Sequence, residues 1–137
     1  KLRVRRRKTM SDTTRYDRGL AKLIEIYGDL GTNVITSLQD IAPDMGRYVV
    51  EFAFGYIHCR SGLDLKSREI ATVAALTALG TAGTQLRAHI HAALNVGCTE
   101  QEVIEILIQM ALYAGFPAAL NGIQAAREVF SERSQKK

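Results

Sequence analysis

The sequence carries no charged residue between Ile106 and Ala126. A run of this length is long enough for a helix to cross a membrane, but Gly115 and Pro117 interrupt it and are typical of a helix stop and a helix start. We therefore expect two helices that are buried on nearly all faces, and no membrane span. Because a chain of 137 residues has difficulty covering two such helices alone, the run also predicts a homo-oligomer.

Apolar residues recur with helical spacing along the rest of the chain, and no long segment alternates with period two. We predict an all-α protein of six or seven helices. Glycines, prolines and capping residues delimit the predicted helices at about residues 13–27, 33–41, 43–60, 64–79, 86–97, 99–114 and 117–130. We expect a break at Gly28–Gly31, a cap at Asn33, and an apolar stripe on the third helix that includes Tyr48, Phe52 and Tyr56. Asp64 should begin the fourth helix and Gly80 end it, and Thr99 with Glu102 should form a capping box.

The ends of the chain differ from its body. Six of the 18 Lys and Arg residues lie in positions 1–8, and the remaining twelve face fourteen Asp and Glu. The body is therefore mildly acidic, which is not typical of a nucleic-acid-binding domain. We interpret residues 1–10 as a disordered basic tail, with a nucleic-acid or membrane-surface arm as the alternative. A single domain is predicted at 11–131, and residues 132–137 should fray.

The predicted fifth α-helix carries two of the three histidines. Leu86, Ile90 and Ala93 share one apolar arc, and His89 falls about 60° from Leu86, at the edge of that arc. His91 falls on the far side, facing outward or toward another subunit. Because two histidines spaced this way diverge on a helix, we expect no metal site from them.

Cys59 and Cys98 form neither a CxxC pair nor a metal-binding cluster, so we expect two free, buried thiols. The basic tail lacks the apolar run of a secretory signal, and we expect a cytoplasmic protein.

Five segments together resemble the carboxymuconolactone decarboxylase family, over residues 16–130: CRSGLD from Cys59, SREIATVAAL from Ser67, LRAH from Leu86, AALNVGCTE from Ala92 and YAGFPAALN from Tyr113. The resemblance implies an all-α fold assembled into trimers or hexamers. It implies a carbon–carbon lyase that needs no metal or cofactor and removes CO2 from a small carboxylated lactone or related oxo acid, such as 4-carboxymuconolactone, in the breakdown of aromatic compounds.

The resemblance also suggests site residues. Glu69 and His89 match the positions of a catalytic glutamate–histidine proton relay, and Arg60 matches an arginine that would hold the retained carboxylate of the substrate. His91 is a candidate substrate-selecting or subunit-contact residue. The structural alternatives are that Glu69 interacts with the helix dipole or with Arg68, and that His89 is a satisfied histidine at the edge of the core.

Two other classes stay open. The same superfamily includes the alkylhydroperoxidase D proteins, whose CxxC pair would fall at Ala82 and Gln85, so this chain lacks both thiols of that motif. A peroxidase or redox protein is therefore disfavoured, with Cys59 the only candidate for a replacement thiol. A non-enzymatic oligomer that binds small acids is the third class.

Overall fold

The computed structural model describes residues 13–137, and this part of the chain is all-α, as predicted. The predicted basic tail, 1–10, lies outside the described residues. Two compact units are present, one ending at Arg60 and the other comprising Ser61–Lys137. The elements in chain order are α1 (Arg15–Tyr27), α2 (Asp29–Ser37), α3 (Pro43–Tyr48), a π-helix (Val49–Ile57), α4 (Leu65–Leu79), α5 (Gly83–Asn95), α6 (Glu100–Ala114) and α7 (Phe116–Gln135).

In the N-terminal unit, α1 lies against the π-helix with the two backbones in contact. A Cβ atom added to Gly19 would lie 2.0 Å from the carbonyl oxygen of Val50, and one added to Gly55 would lie 2.5 Å from that of Arg15. No side chain fits at either position, so the two glycines allow this close crossing. The ring of Tyr27 packs edge-on against Phe54, with 5.8 Å between the ring centroids.

The short second helix differs from the prediction. It begins at Asp29, directly after Gly28, and Asn33 lies inside it and does not cap it. Gly31, which we interpreted as part of a helix break, is buried in the helix, and a Cβ atom there would meet Leu23 at 2.9 Å. Gly31 therefore allows α1 and α2 to approach each other closely.

The segment predicted as one α-helix after Pro43 changes to a π-helix at Val49. The wider turns of a π-helix shift the buried face away from the one that an α-helical period selects. Val50, Phe54 and Gly55 are buried, whereas Tyr48, Phe52 and Tyr56 of the predicted apolar stripe are exposed.

The C-terminal unit packs α4, α5, α6 and α7 around one core. The predicted starts of α4 and α6 are confirmed: Asp64 accepts a hydrogen bond from the Ser67 N–H at 2.7 Å, and Thr99 with Glu102 forms a capping box. Gly80 ends α4 in the left-handed conformation. The buried core consists of Val73, Leu86, Ile90, Ala93, Cys98, Val103, Leu107, Ala125, Ala126 and Val129.

The prediction of a helix end near Phe130 was wrong, because α7 continues to Gln135. Fraying of residues 132–137 stays a prediction. Its last turns have partners on α5: Arg87 and His91 contact Glu132, and Arg133 donates to Asn95 at 2.9 Å. These contacts stabilise the last turns of α7 against α5.

One face of α6 and α7 remains exposed in a single chain. Side chains on both sides of Gly115 are 51% to 77% exposed, namely Ile108, Leu112, Tyr113, Phe116 and Leu120. Within residues 13–137, no helix combines the length and the hydropathy needed to cross a membrane.

Candidate active site

Glu69 is fixed on the buried face of α4. The Asp64 cap starts this helix, and Glu69, Val73 and Thr77 follow one another at intervals of four, all three buried. Thr77 satisfies its hydroxyl by donating to the carbonyl oxygen of Val73 at 2.7 Å. The glutamate is the only charged residue that is buried within residues 13–137, with a side-chain exposure of 0%.

His89 projects from α5 toward this carboxylate. Its Nδ1 lies 2.8 Å from Oε2 of Glu69, and the imidazole is 22% exposed. A carboxylate accepts and does not donate, so Nδ1 carries the proton of this hydrogen bond. The contact fixes the orientation of the ring.

The second carboxylate oxygen of Glu69, Oε1, is buried and has no hydrogen-bond partner among residues 13–137. A buried carboxylate with one unsatisfied oxygen destabilises a fold by about 1–3 kcal/mol. Stability alone gives no reason for a glutamate here, because an apolar side chain of similar volume would avoid that penalty. The arrangement therefore favours a chemical role over a structural one.

The Cys98 thiol lies near Glu69 and also near an ion pair between α4 and α6. Lys66 donates to Glu102 at 2.8 Å, joining α4 to α6, and this hydrogen bond holds the pKa of Glu102 below its usual range. Burial raises the pKa of the Cys98 thiol, and the charge of Glu102 raises it further. Cys98 is therefore a protonated thiol at neutral pH and a poor nucleophile.

His91 belongs to a different group of side chains. Its Nε2 lies 3.1 Å from Oε2 of Glu132 on α7, and the side chain is 18% exposed. Of the two predicted directions, the outward one was therefore wrong, and a contact with another subunit stays a prediction. Arg87 forms ion pairs with Glu132 and with Glu128. Hydrogen bonding by His91 and the nearby Arg87 hold the pKa of Glu132 below its usual range. We interpret this group as a clamp between α5 and α7.

Sequence reasoning missed this clamp although a signal was present. Arg87 and His91 are four residues apart on α5, and Glu128 and Glu132 are four apart on α7. Two basic residues and two acidic residues at the same helical spacing form complementary faces.

The remaining predicted residues lie at or near the ends of helices. Arg60 is exposed at the end of the N-terminal unit. Cys59 is exposed and not buried as expected, and both cysteines are free. Ala82 directly precedes α5 and Gln85 lies in its first turn. Among residues 13–137, no three His, Cys, Asp or Glu side chains are grouped as metal ligands would be.

Comparisons with known proteins agree with the resemblance seen in the sequence. A sequence model of the carboxymuconolactone decarboxylase family matches residues 43–128. The chain is 36% identical to a 4-carboxymuconolactone decarboxylase of Acinetobacter baylyi, over 90% of this chain and 92% of that protein. It is 32% identical to an uncharacterized 15.0 kDa protein of Paracoccus denitrificans, over 73% of this chain and 75% of the relative. It is also 28% identical to a nitrosuccinic acid decarboxylase of Metarhizium robertsii, over 88% and 85% of the two chains.

Proposed function

This chain belongs to the carboxymuconolactone decarboxylase family, and from that premise we propose that it is a lyase that removes CO2 from a small carboxylated lactone such as 4-carboxymuconolactone. The observation that carries the proposal is the 2.8 Å contact between His89 Nδ1 and the fully buried Glu69. A glutamate that orients a partly exposed imidazole is suited to proton transfer.

The reaction begins with cleavage of the carbon–carbon bond to the departing carboxylate. Its electron pair moves through the ring double bond onto the lactone carbonyl, which gives a dienolate and CO2. A proton then adds to the ring carbon next to the carbonyl and forms the enol-lactone product. The substrate accepts the electrons itself, so the protein has to orient it and supply one proton.

His89 supplies that proton from Nε2, and Glu69 holds the ring through Nδ1. The Glu69 carboxylate compensates the charge of the doubly protonated imidazole before the transfer. Solvent restores the proton after product release, since the ring is 22% exposed. This division of roles gives the buried carboxylate a function that its contribution to stability does not explain.

Two relatives are named for the decarboxylation of different acids, a carboxymuconolactone and nitrosuccinic acid. Both acids have a group that accepts the released electron pair, the conjugated lactone carbonyl in one and the nitro group in the other. Both also retain a second carboxylate. We assign Arg60 to that retained carboxylate, because pairing with the departing one would stabilise the ground state more than the transition state.

We do not assign His91 to the substrate. Its partner in the chain is Glu132, which supports a role in holding α5 against α7. The peroxidase alternative is disfavoured for a separate reason: Ala82 and Gln85 occupy the two thiol positions, and burial keeps Cys98 protonated.

The test is turnover of 4-carboxymuconolactone by His89→Ala, followed by the loss of lactone absorbance and the release of CO2. The rate constant kcat should fall by about 10²-fold or more, with a smaller change in KM, because the proton is needed in the transition state. His91→Ala is the matched control, since it removes the same side chain from the same helix and should keep kcat within a few fold.

The outcomes separate the possibilities. Wild-type turnover by the His89→Ala protein would contradict the relay. A wild-type protein that binds the lactone without releasing CO2 would instead support the class of non-enzymatic small-acid binders.

We also propose a homo-oligomer, a trimer or a hexamer, that covers the exposed face of α6 and α7. The support is the set of large apolar side chains on both sides of Gly115, which are 51% to 77% exposed. Large exposed apolar patches mark sites of protein–protein interaction. Light scattering at low micromolar concentration should give a mass above that of a dimer, and Leu112→Lys should reduce it. The control is Gln101→Lys, about three turns earlier on the same helix, at its polar start. A monodisperse wild-type monomer would contradict the proposal.

A further inference from the structure

The N-terminal unit contains an open pocket of about 460 Å³ between the start of α1 and the segment formed by α3 and the π-helix. Its volume lies within the roughly 300–1,000 Å³ of typical ligand sites. Much of the wall is apolar: Met45, Tyr48 and Phe52 line it and are 54%, 61% and 64% exposed. Two accessible aromatic rings at a concave surface are suited to stacking against a planar molecule.

The charge in this pocket comes from Arg15. Two charged side chains line the pocket, Arg15 and Glu51. Glu51 is neutralised by Arg47, whose Nε lies 3.1 Å from its Oε1. Among residues 13–137, no carboxylate pairs with the Arg15 guanidinium, which lies over the Tyr56 ring at 5.5 Å from its centroid. The pocket therefore presents one uncompensated positive charge beside aromatic surface.

The backbone holds these groups in place. A Cβ atom at Gly55 would lie 2.5 Å from the carbonyl oxygen of Arg15, so the start of α1 touches the π-helix directly. The rings of Phe52 and Tyr56 stack with an interplanar angle of 9° and a centroid distance of 6.3 Å. The arginine and the aromatic rings are thus positioned before any ligand arrives, which reduces the entropy lost on binding. Helical π segments are frequent at functional sites.

We propose that this pocket binds a small planar carboxylate, an aromatic or conjugated acid. The carboxylate pairs with the guanidinium of Arg15, and the ring of the ligand stacks on Tyr48 and Phe52. A cation would be repelled by Arg15, and a hydrophilic sugar would leave the apolar wall without a partner. This proposal goes beyond the decarboxylase reaction and does not depend on it, since binding here needs no turnover.

Methionine methyl groups report on binding in the intact 137-residue chain. The chain has three methionines, and Met45 lines the pocket while Met110 lies on α6. We would label the methionine methyl groups with 13C and titrate with benzoate, using benzyl alcohol as the neutral comparison. Benzoate should shift the Met45 methyl signal saturably, with Kd on the order of 1 mM for a ligand of this size. The Met110 signal should not move, and benzyl alcohol should bind about tenfold more weakly.

Two substitutions on α1 make the test specific. Arg15→Gln should weaken benzoate binding about tenfold, because it removes a charge-assisted hydrogen bond. Arg18→Gln removes the same charge from the same helix, but Arg18 donates to the carbonyl oxygen of Thr13 and does not line the pocket, so its Kd should match that of the wild type. Phe52→Leu, which leaves α1 intact, should also weaken binding.

Several results would overturn the proposal. One is the absence of a saturable Met45 shift up to about 20 mM benzoate. Equal affinities for benzyl alcohol and benzoate would show that the pocket binds only through its apolar wall. Equal changes in the benzoate Kd for Arg15→Gln and Arg18→Gln would show that the charge acts nonspecifically. A Met45 signal that depends on protein concentration without benzoate would show that a second copy of the chain covers the pocket.

Discussion

Replacing Glu69 by methionine should maintain or raise the stability of the protein while it stops turnover. The substitution removes a buried carboxylate whose Oε1 has no partner among residues 13–137, which should stabilise the fold by about 1–3 kcal/mol. It also removes the hydrogen bond to His89, but that ring is 22% exposed and water can replace the bond, so we expect a loss of only about 1 kcal/mol. The net change is a gain of up to about 2 kcal/mol.

For a chain of this size, a gain of 1 kcal/mol would raise Tm by about 3–4 °C. Urea unfolding followed by circular dichroism measures the free energy, at a fixed protomer concentration because oligomerisation shifts apparent stability. Turnover of the lactone is measured on the same samples and should fall by about 10²-fold. Glu69→Gln, which keeps the shape of the side chain, should also lose rate.

Thr77→Val is the matched control. Thr77 is buried on the same face of α4, two turns further on, and its hydroxyl bonds only within its own helix. The substitution should change the free energy of unfolding by no more than about 1 kcal/mol. It should leave turnover unchanged. Our reasoning is refuted if Glu69→Met loses more than about 2 kcal/mol of unfolding free energy and its turnover falls only in proportion to the unfolded fraction. Glu69 would then be a structural residue.

Two further predictions concern the packing of each unit. His91 and Arg87 lower the folded-state pKa of Glu132. The stabilisation from these contacts is therefore present above the unfolded-state pKa and is lost as the pH falls through the folded-state pKa. Glu132→Gln should be less stable than wild type at pH 7, by under about 1 kcal/mol because the group is so exposed, and as stable as wild type when both are unfolded in acid. A larger deficit in acid than at pH 7 would contradict this. Gly19→Ala should lower the free energy of unfolding in urea by about 3 kcal/mol or more, because the new Cβ atom would lie 2.0 Å from the Val50 oxygen. Gly62→Ala is the control and should be near neutral, because a Cβ atom there would have no other atom within 4 Å. Equal unfolding midpoints for the two variants would show that α1 can move to accept the methyl group.

Helix ends were predictable where local residues decide them. Asp64, Thr99 and Gly80 act within a few residues of their own position, and each does what its residue type favours. Gly31 was misread because the same residue type also serves as a spacer, and only the position of Leu23 on the neighbouring helix distinguishes the two uses. The π-helix was missed because the spacing of apolar residues does not show whether each N–H bonds to the carbonyl four or five residues earlier.

The site was predictable to the extent that it depends on one pair of helices. The helix positions of His89 and Glu69 left structural alternatives open for both residues, and the family resemblance suggested that the two form a pair. His91 was assigned the wrong direction because its partner, Glu132, lies in a segment that was expected to fray. One wrong helix end thus led to a wrong environment for a residue about 40 positions away, since long-range partners stabilise both.

The residues just before His89 determine which chemistry the proposed relay can support. Ala82 directly precedes α5 and Gln85 lies in its first turn, at the positive end of the helix dipole, where a thiol would be activated as a thiolate. In the alkylhydroperoxidase D pattern, thiols stand at these positions and the glutamate and histidine serve them. Here no thiol stands there, and the buried Cys98 is held protonated. A glutamate–histidine pair without a nucleophile can still deliver a proton. Decarboxylation of a carboxylated lactone needs only this proton from the protein, because the lactone carbonyl accepts the released electron pair. Introducing cysteines at positions 82 and 85 would therefore place a pair of redox-active thiols beside the proposed proton relay. The residue types at these two positions, seven and four before His89, thus distinguish thiol peroxidase chemistry from decarboxylation.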